Sequence, residues 1–226
     1  VSARAQIVID TNDVKSQFAV GKSLTQYTDN VTTSLDIGLP GGGNAWVFAN
    51  LQSISPQLLT SVAPSGTPFI GQFAGATHAL RAVATGVVIP GIPFPLNVTL
   101  YQYLSLRGDL LNPGNMADAS ALGGLVTGKL KTTNVNPDIF YKLPSTYQTT
   151  WTSTFTSTQL AWLDSNPAQY LLNTVTTHNA RYVVDAYGTM LLPGMTAAQP
   201  ALRVRKMDVI TKITSPPSNP STVMSY

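Results

Sequence analysis

Three basic residues close together in the chain are the first candidates for chemistry. Arg203, Arg205 and Lys206 lie in ALRVRKMDVITKIT, residues 201–214, the longest strand that the sequence predicts. Guanidinium and ammonium groups bind nucleic-acid phosphates, and clustered cations are the usual footprint of that contact. A solvated or ion-paired strand end near Asp208 explains the same residues without a ligand. Both interpretations stay open, and the three residues form the candidate nucleic-acid-binding site.

Two aspartates near the start of the sequence are the candidate metal ligands. Asp10 and Asp13, in IDTNDV, are close enough to share a cation, and carboxylate oxygens favour calcium over transition metals. The stretch lacks the calcium-loop motif, so the stronger interpretation is a calcium ion shared between subunits. Zinc has little support, because cysteine is absent and the two histidines, His78 and His178, are far apart.

Catalytic motifs are missing from the sequence. The GKS at residues 21–23 lacks the earlier glycine of a phosphate-binding loop, and GLPGGGN at 38–44 has neither the spacing nor the following helix of a dinucleotide-binding turn. The nucleophile elbow G-x-S-x-G does not occur. The expectation is therefore that the protein is not an enzyme.

The composition favours a β-sheet protein with an unusually uncharged surface. Charged residues make up 10% of the 226 residues, against about 25% in a typical globular domain. All 10 acidic residues are aspartates, and the absence of glutamate, a strong helix former, argues against a helical fold. The net charge of +3 is weakly basic. The most apolar stretch, residues 86–96, contains three prolines and is too short to span a bilayer, so no membrane partner is expected.

One strand shows the pattern most clearly. Residues 149–158 read TTWTSTFTST, and a period of two places Trp151, Ser153, Phe155 and Ser157 on one face and a row of threonines on the other. A solitary monomer would carry charges on its solvent face, because an uncharged strand invites unwanted pairing. Something is therefore expected to cover the threonine row.

The remaining elements fit one large domain. Strands are predicted at residues 5–10, 31–37, 45–51, 78–89, 96–106, 125–132, 147–155, 181–191 and 201–214, with a short helix at 165–175. Residues 107–124 are expected to form a long polar excursion. The resulting prediction is an all-β antiparallel sandwich with one or two short helices. Its parts are an N-terminal arm or first strand at 1–30, a main domain at 31–214 and an extended C-terminal tail at 215–226.

A surface covered by copies of the same chain explains scarce charge, hydroxyl-rich strands and proline-rich apolar connections together. Interface cores are depleted in Lys, Glu and Asp and enriched in aromatic residues. Hydroxyl groups supply hydrogen bonds between subunits without the cost of burying charge. The candidate interface residues on this interpretation are Trp151, Phe155, Pro90, Pro93 and Pro95.

With these features the chain resembles the jelly-roll coat proteins of small non-enveloped icosahedral viruses. The resemblance lies in length, the all-β pattern, Thr/Ser/Pro/Asn richness, few charges, the extended tail and the predicted helix at 165–175. It implies an eight-stranded jelly-roll sandwich, many copies in a shell, an enclosed genome taken to be RNA, and a host receptor. It also implies location in the virion, with assembly in the host cytoplasm and calcium as the only cofactor, at subunit contacts. Residues 1–20 lack the Arg/Lys-rich arm of many such proteins, since Arg4 and Lys15 are their only cations.

Two other classes fit the composition. An oligomeric receptor- or carbohydrate-binding β-sandwich, of the fibre-tip or lectin type, would expose Trp46, Trp151 or Trp162 in a shallow sugar-stacking site. A β-sandwich hydrolase would bring several acids together in a concave pocket.

Overall fold

The computed structural model describes residues 7–26, 36–48, 57–88, 95–215 and 221–225. Over these ranges the chain is mostly β-strand, with one α-helix and three single-turn 3-10 helices. The elements are α1 (Thr11–Gln17), β1 (Ser23–Gln26), β2 (Gly41–Val47), β3 (Gln57–Val62), β4 (His78–Val87), β5 (Leu96–Arg107), β6 (Asp109–Ala121), β7 (Val126–Tyr141), β8 (Thr150–Leu163), β9 (Asn166–Leu191), β10 (Gln199–Ser215) and β11 (Ser221–Ser225). The 3-10 turns lie at Pro64–Gly66, Ile70–Gln72 and Leu122–Gly124. The predicted all-β fold with a short helix is confirmed.

The strands form one antiparallel meander. From β3 to β11 each strand pairs with the next one in sequence, β1 pairs with β3, and β2 pairs in parallel with the second half of β9. A jelly roll instead contains Greek-key connections, which bring together strands that are distant in sequence. The sequential order differs in this respect from the connectivity that the coat-protein resemblance implies.

A long hairpin between β8 and β9 replaces the helix predicted at residues 165–175. Residues 165–175 belong to β9, which pairs with β8 from Leu163↔Asn166 to Thr150↔Val183, so the helix prediction is wrong. The capping and proline signals of Ser165, Asn166 and Pro167 lie at the turn of this hairpin. Cross-strand pairing on both sides of β9 overrides their helical preference, as tertiary context often does.

A second correction concerns residues 107–124, which are mostly strand. Asp109–Ala121 forms β6 and pairs with β5 and β7 along its length. The segment was predicted to be a loop because it contains Asn112, Pro113 and Gly114. These residues instead lie at a register shift within the strand. At Gly114 φ is +139°, and a Cβ there would lie 2.1 Å from the carbonyl oxygen of Thr132. Only glycine permits the strands to approach so closely at this bend.

Beyond the bend the sheet folds back onto itself. The last residues of β7 pack over β8, where the indole Nε1 of Trp151 donates to the carbonyl of Ile139 at 3.0 Å. The amide of Ile139 in turn donates to Ser153 Oγ at 2.9 Å. The rings of Tyr141 and Trp151 meet edge to face with centroids 5.8 Å apart. Two layers result, as the sandwich prediction requires.

The N-terminal segment differs from the strand predicted at residues 5–10. Only Ile9 bridges to the sheet, by pairing with Ser145, and α1 follows directly. Val14 on α1 packs into a core cluster with Leu80 of β4, Leu104 of β5 and Leu110 of β6. This cluster attaches the helix to the centre of the sheet.

At the other end of the chain, residues 221–225 pair with β10 and extend the sheet by one strand. The predicted strand at 31–37 lies almost wholly outside the described residues. Within the described ranges no helix has the length and apolar character needed to cross a membrane.

Candidate functional site

The outward face of β8, β9 and β10 is the most distinctive surface of the protein. We call it the threonine face, and it consists of five cross-strand rows: Thr150, Val183 and Arg205; Thr152, Arg181 and Met207; Thr154, Asn179 and Val209; Thr156, Thr177 and Thr211; Thr158, Val175 and Ile213. Paired residues lie on the same side of a sheet, so the strand register alone brings these side chains together. The alternation predicted for TTWTSTFTST is confirmed, because its threonines are exposed or half-buried and the residues between them are buried.

The two ends of the threonine face differ in character. At the apolar end, Val175 and Ile213 are 37% and 55% exposed, and Val209 in the middle row is 42% exposed. At the cationic end lie Arg181 and Arg205, both exposed. The rows between them carry mostly hydroxyl groups. Such a face can bind an apolar surface at one end and anions at the other.

The candidate Arg203 has a structural role. Its Nε and Nη2 bind the two carboxylate oxygens of Asp185 at 2.8 and 3.2 Å, and Nη1 donates to the carbonyls of Ile37 and Gly38. Its guanidinium carbon lies 6.0 Å from the ring centroid of Trp46 on β2. Because the side chain is only 16% exposed and its donors are engaged, Arg203 joins β2 to β9 and β10 and is removed from the nucleic-acid site.

The other two candidates face opposite sides of β10. The Arg205 side chain is 57% exposed, and its Nε lies 3.7 Å from Asp185, whose carboxylate already binds Arg203. Lys206 belongs to the inward face, where its Nζ contacts Asp208 at 3.0 Å and lies 5.6 Å from the centroid of the Tyr182 ring. The proposed trio therefore does not form one site, and Arg205 is its most available member.

The inward face of β8 is core. Trp151 stacks on Tyr182 with centroids 4.8 Å apart, and Phe155 stacks on His178 at 4.4 Å. Trp151 and Phe155 are only 7% and 6% exposed. Their assignment to a subunit interface is therefore wrong, since their surface is already buried within the chain. Of the candidate interface prolines, Pro95 is exposed, and Pro90 and Pro93 lie outside the described residues.

A buried polar cluster lies beside these aromatic rings. Asp208 is 1% exposed in its side chain, and its Oδ2 lies 2.9 Å from His178 Nδ1 and 3.0 Å from Lys206 Nζ. Its Oδ1 is buried and contacts no hydrogen-bond donor within the described part of the chain. The strand predicted at 181–191 began after His178. The period-two continuation from Tyr182 through Ala180 to His178 would have placed it on this inward face.

Tyr182 lies between this cluster and a second buried carboxylate, Asp138. Its hydroxyl lies 3.4 and 3.5 Å from the two carboxylate oxygens of Asp138, which is itself buried. Burial, followed by the negative charges of Asp138 and Asp208, holds the pKa of Tyr182 well above its usual range. The phenol therefore remains neutral and can donate to Asp138.

The candidate metal ligands serve as helix caps. Asp10 Oδ1 accepts hydrogen bonds from the amides of Asn12 and Asp13 at 2.7 and 3.1 Å. Asp13 Oδ2 accepts from the amide of Asp10 at 2.8 Å, which completes a capping box for α1. No group of three or more metal-binding side chains occurs in the described ranges. Calcium between subunits stays a prediction that a single chain does not test.

Two cavities in the described part of the chain have contrasting linings. One, of about 320 Å³, is lined by residues of β3 to β9 and has mainly aliphatic walls with no acidic residue. The other, of about 290 Å³, contains Asp118 and Asp164, both bonded to Lys129 Nζ, at 2.8 and 3.2 Å. Burial acts to raise the pKa of Asp164, but hydrogen bonds from Thr127 and Lys129 and the charge of Lys129 lower it. A glycosidase needs one carboxyl group that stays protonated, and Asp164 does not provide it.

The tryptophans give little support to a sugar-stacking site. Trp46 is 6% exposed and Trp151 is 7% exposed. Trp162 is half-buried and packs on the cluster of Phe69 and Phe73. None of the three forms an open aromatic platform.

Comparison of the chain with models of known families, with curated proteins and with solved structures found no match.

Proposed function

We propose that this protein is a structural coat subunit that assembles in many copies into an icosahedral viral shell around nucleic acid. The observation that carries the proposal is the threonine face: neighbouring strands present hydroxyl and apolar groups to the outside, with aliphatic side chains exposed at one end. A surface that is poor in charge and carries exposed aliphatic side chains is typical of contacts between proteins. A second copy of the chain can cover the threonine face without any other protein.

The chemistry of the face suits contacts between copies. Threonine hydroxyls both donate and accept hydrogen bonds, so two such faces can adjust to one another. Burying hydroxyl groups also avoids the large desolvation cost of burying charged groups. The exposed Val175, Val209 and Ile213 would supply the apolar core that an interface between copies requires.

Assembly of the purified chain is the direct test. Electron microscopy of negatively stained protein, with analytical ultracentrifugation, should show closed particles of tens of copies. A monodisperse monomer at micromolar concentration under all assembly conditions would exclude a coat subunit.

Matched variants test the surface itself. Thr211→Lys puts a charge in the middle of the threonine face, and Thr25→Lys puts one on β1 at the sheet edge; both threonines are exposed. We expect Thr211→Lys to block assembly, because two copies would bury like charges, and Thr25→Lys to assemble normally. Equal assembly of both, with unchanged circular dichroism, would place the subunit contact elsewhere.

The alternative is an oligomeric receptor- or carbohydrate-binding sandwich. A stable trimer or smaller oligomer that binds a glycan array would favour it over a shell.

A further inference from the structure

We infer that the cationic end of the threonine face, Arg181 and Arg205 with Thr152 and Asn179 beside them, binds the phosphate backbone of single-stranded RNA. The inference rests on the proposed coat function, and it replaces the trio expected from the sequence with a pair on two neighbouring strands. Arg181 was not a candidate, because the sequence alone does not show which residue of β9 lies beside Arg205.

The strand register brings the two arginines together. Arg205 pairs with Val183, and Arg181 pairs with Met207 one row further along. They are therefore diagonal neighbours on one face, a relation that separates side-chain origins by roughly 7–8 Å. Two guanidinium groups at this spacing can contact one backbone segment together.

The charge balance of the face favours an anion. Asp185 is the one acidic residue among the described outward positions of β8, β9 and β10, and both its oxygens bind Arg203. Arg181 forms no ion pair with a described residue, and Arg205 has only the 3.7 Å contact with the already neutralised Asp185. Two positive charges are thus left without a balancing acid among the residues that the structure describes.

The neighbouring groups suit a sugar–phosphate backbone. Hydroxyl and amide side chains supply many of a protein's hydrogen bonds to phosphate and sugar. Here Thr152 and Asn179 lie beside Arg181, although the direct partners of the two arginines on β9 and β10 are Val183 and Met207. Threonine hydroxyls can also bond to the ribose 2′-hydroxyl, which DNA lacks. No aromatic side chain belongs to the rows of the threonine face. Stacking of bases, the usual second component of single-strand binding, is therefore absent, and recognition should be independent of sequence.

The test compares two double variants that remove equal charge. Arg181→Ala with Arg205→Ala removes the proposed pair, and Arg81→Ala with Lys15→Ala removes two exposed cations from β4 and α1. Binding of a fluorescein-labelled oligouridine to the purified full-length chain is followed by anisotropy across a salt series. An oligothymidine of the same length runs in parallel to measure the contribution of the 2′-hydroxyl.

We expect the first double variant to reduce the slope of log K against log salt by about 1.4, because each phosphate contact with a single strand contributes about 0.7. If the affinities converge near 1 M salt, this corresponds to a loss of about 25-fold in affinity at about 0.1 M. The control pair should leave the slope unchanged, and oligothymidine should bind more weakly than oligouridine.

The outcomes separate the site from the coat function. An unchanged slope in the first double variant overturns the site, even if shells assemble. A reduced slope in a chain that never assembles supports the site and removes the coat function. An unchanged slope together with a changed oligomeric state would assign the cationic end to a second copy of the chain instead. An equal decrease of the slope in both double variants would show that binding depends only on the net charge of the protein, and it would likewise overturn the site.

Discussion

Arg203 and Arg205 are two residues apart on β10, yet from the structure we expect their replacement by alanine to destabilise the fold to very different extents. Arg203 binds Asp185 through two hydrogen bonds and also donates to two backbone carbonyls. The side chains of Arg203 and Asp185 are 16% and 9% exposed. Arg203→Ala leaves the carboxylate of Asp185 buried with only the 3.7 Å contact to Arg205. The change should therefore weaken the attachment of β2 to β9.

The magnitude follows from the burial of the pair. Removing one partner of a buried ion pair costs about 3–5 kcal/mol, and the partial exposure of Arg203 favours the lower end, about 3 kcal/mol. With a urea dependence of about 3 kcal/mol per molar, the midpoint of unfolding should fall by about 1 M. Arg205→Ala should cost less than about 1 kcal/mol, as exposed ion pairs do.

Urea unfolding followed by tryptophan fluorescence measures both variants, and amide exchange of β2 localises the effect. Arg203→Lys adds a third comparison, because it keeps the charge but loses the planar fork that binds both oxygens of Asp185. It should be intermediate in stability. Equal unfolding midpoints for Arg203→Ala and Arg205→Ala, or normal exchange protection of β2 in Arg203→Ala, would refute the structural role of Arg203.

Three further changes test the core, the buried tyrosine and the bend. Trp151→Ala should cost about 3–5 kcal/mol by urea unfolding of the unassembled chain, whereas a tryptophan that acts only between subunits would leave that midpoint unchanged. Because the pKa of Tyr182 is higher in the folded chain, its contribution to stability is complete below about pH 10 and is lost as the pH rises further. The unfolding free energy should therefore fall more steeply above about pH 10 in the wild type than in Tyr182→Phe, and parallel curves would contradict this. Gly114→Ala should destabilise by more than about 1–3 kcal/mol through backbone strain and the clash with Thr132, while Gly66→Ala, where a Cβ would meet nothing within 4 Å, should be close to neutral in the same assay.

Local pattern was enough to predict the strands that have one buried and one exposed face. The alternation of TTWTSTFTST identified the buried side of β8, and the predicted strand at 96–106 corresponds to β5, Leu96–Arg107. Asp10 and Asp13 could also have been recognised as a cap, because an aspartate three residues before another, ahead of Val14, is a helix-start signal. Their reading as metal ligands overlooked that use.

The candidate site could not be derived in the same way, because it depends on register. Arg203 and Asp185 are 18 residues apart in sequence, and only the pairing of β9 with β10 brings them together. A shift of one residue would turn Arg181 to the inward face and His178 to the outward face. The pattern of polar and apolar residues predicts neither this register nor the bulge between Arg203 and Val204. The sequence analysis therefore grouped Arg205 and Lys206 because they are adjacent in the chain, although their side chains lie on opposite faces of β10.

The way the acids are used explains how a chain with few charges could present the phosphate-binding surface that we propose. Every described aspartate already contacts a cation, an amide or a hydroxyl of the same chain: Asp10, Asp13, Asp36, Asp109, Asp118, Asp138, Asp164, Asp185 and Asp208. The acids are thus engaged internally, whereas Arg181 and Arg205 remain exposed. Although the net charge is only +3, these two cations lie on a face where Asp185 is the one described acid and is already bound to Arg203. Local charge of this kind, rather than the total, determines where an anionic backbone binds.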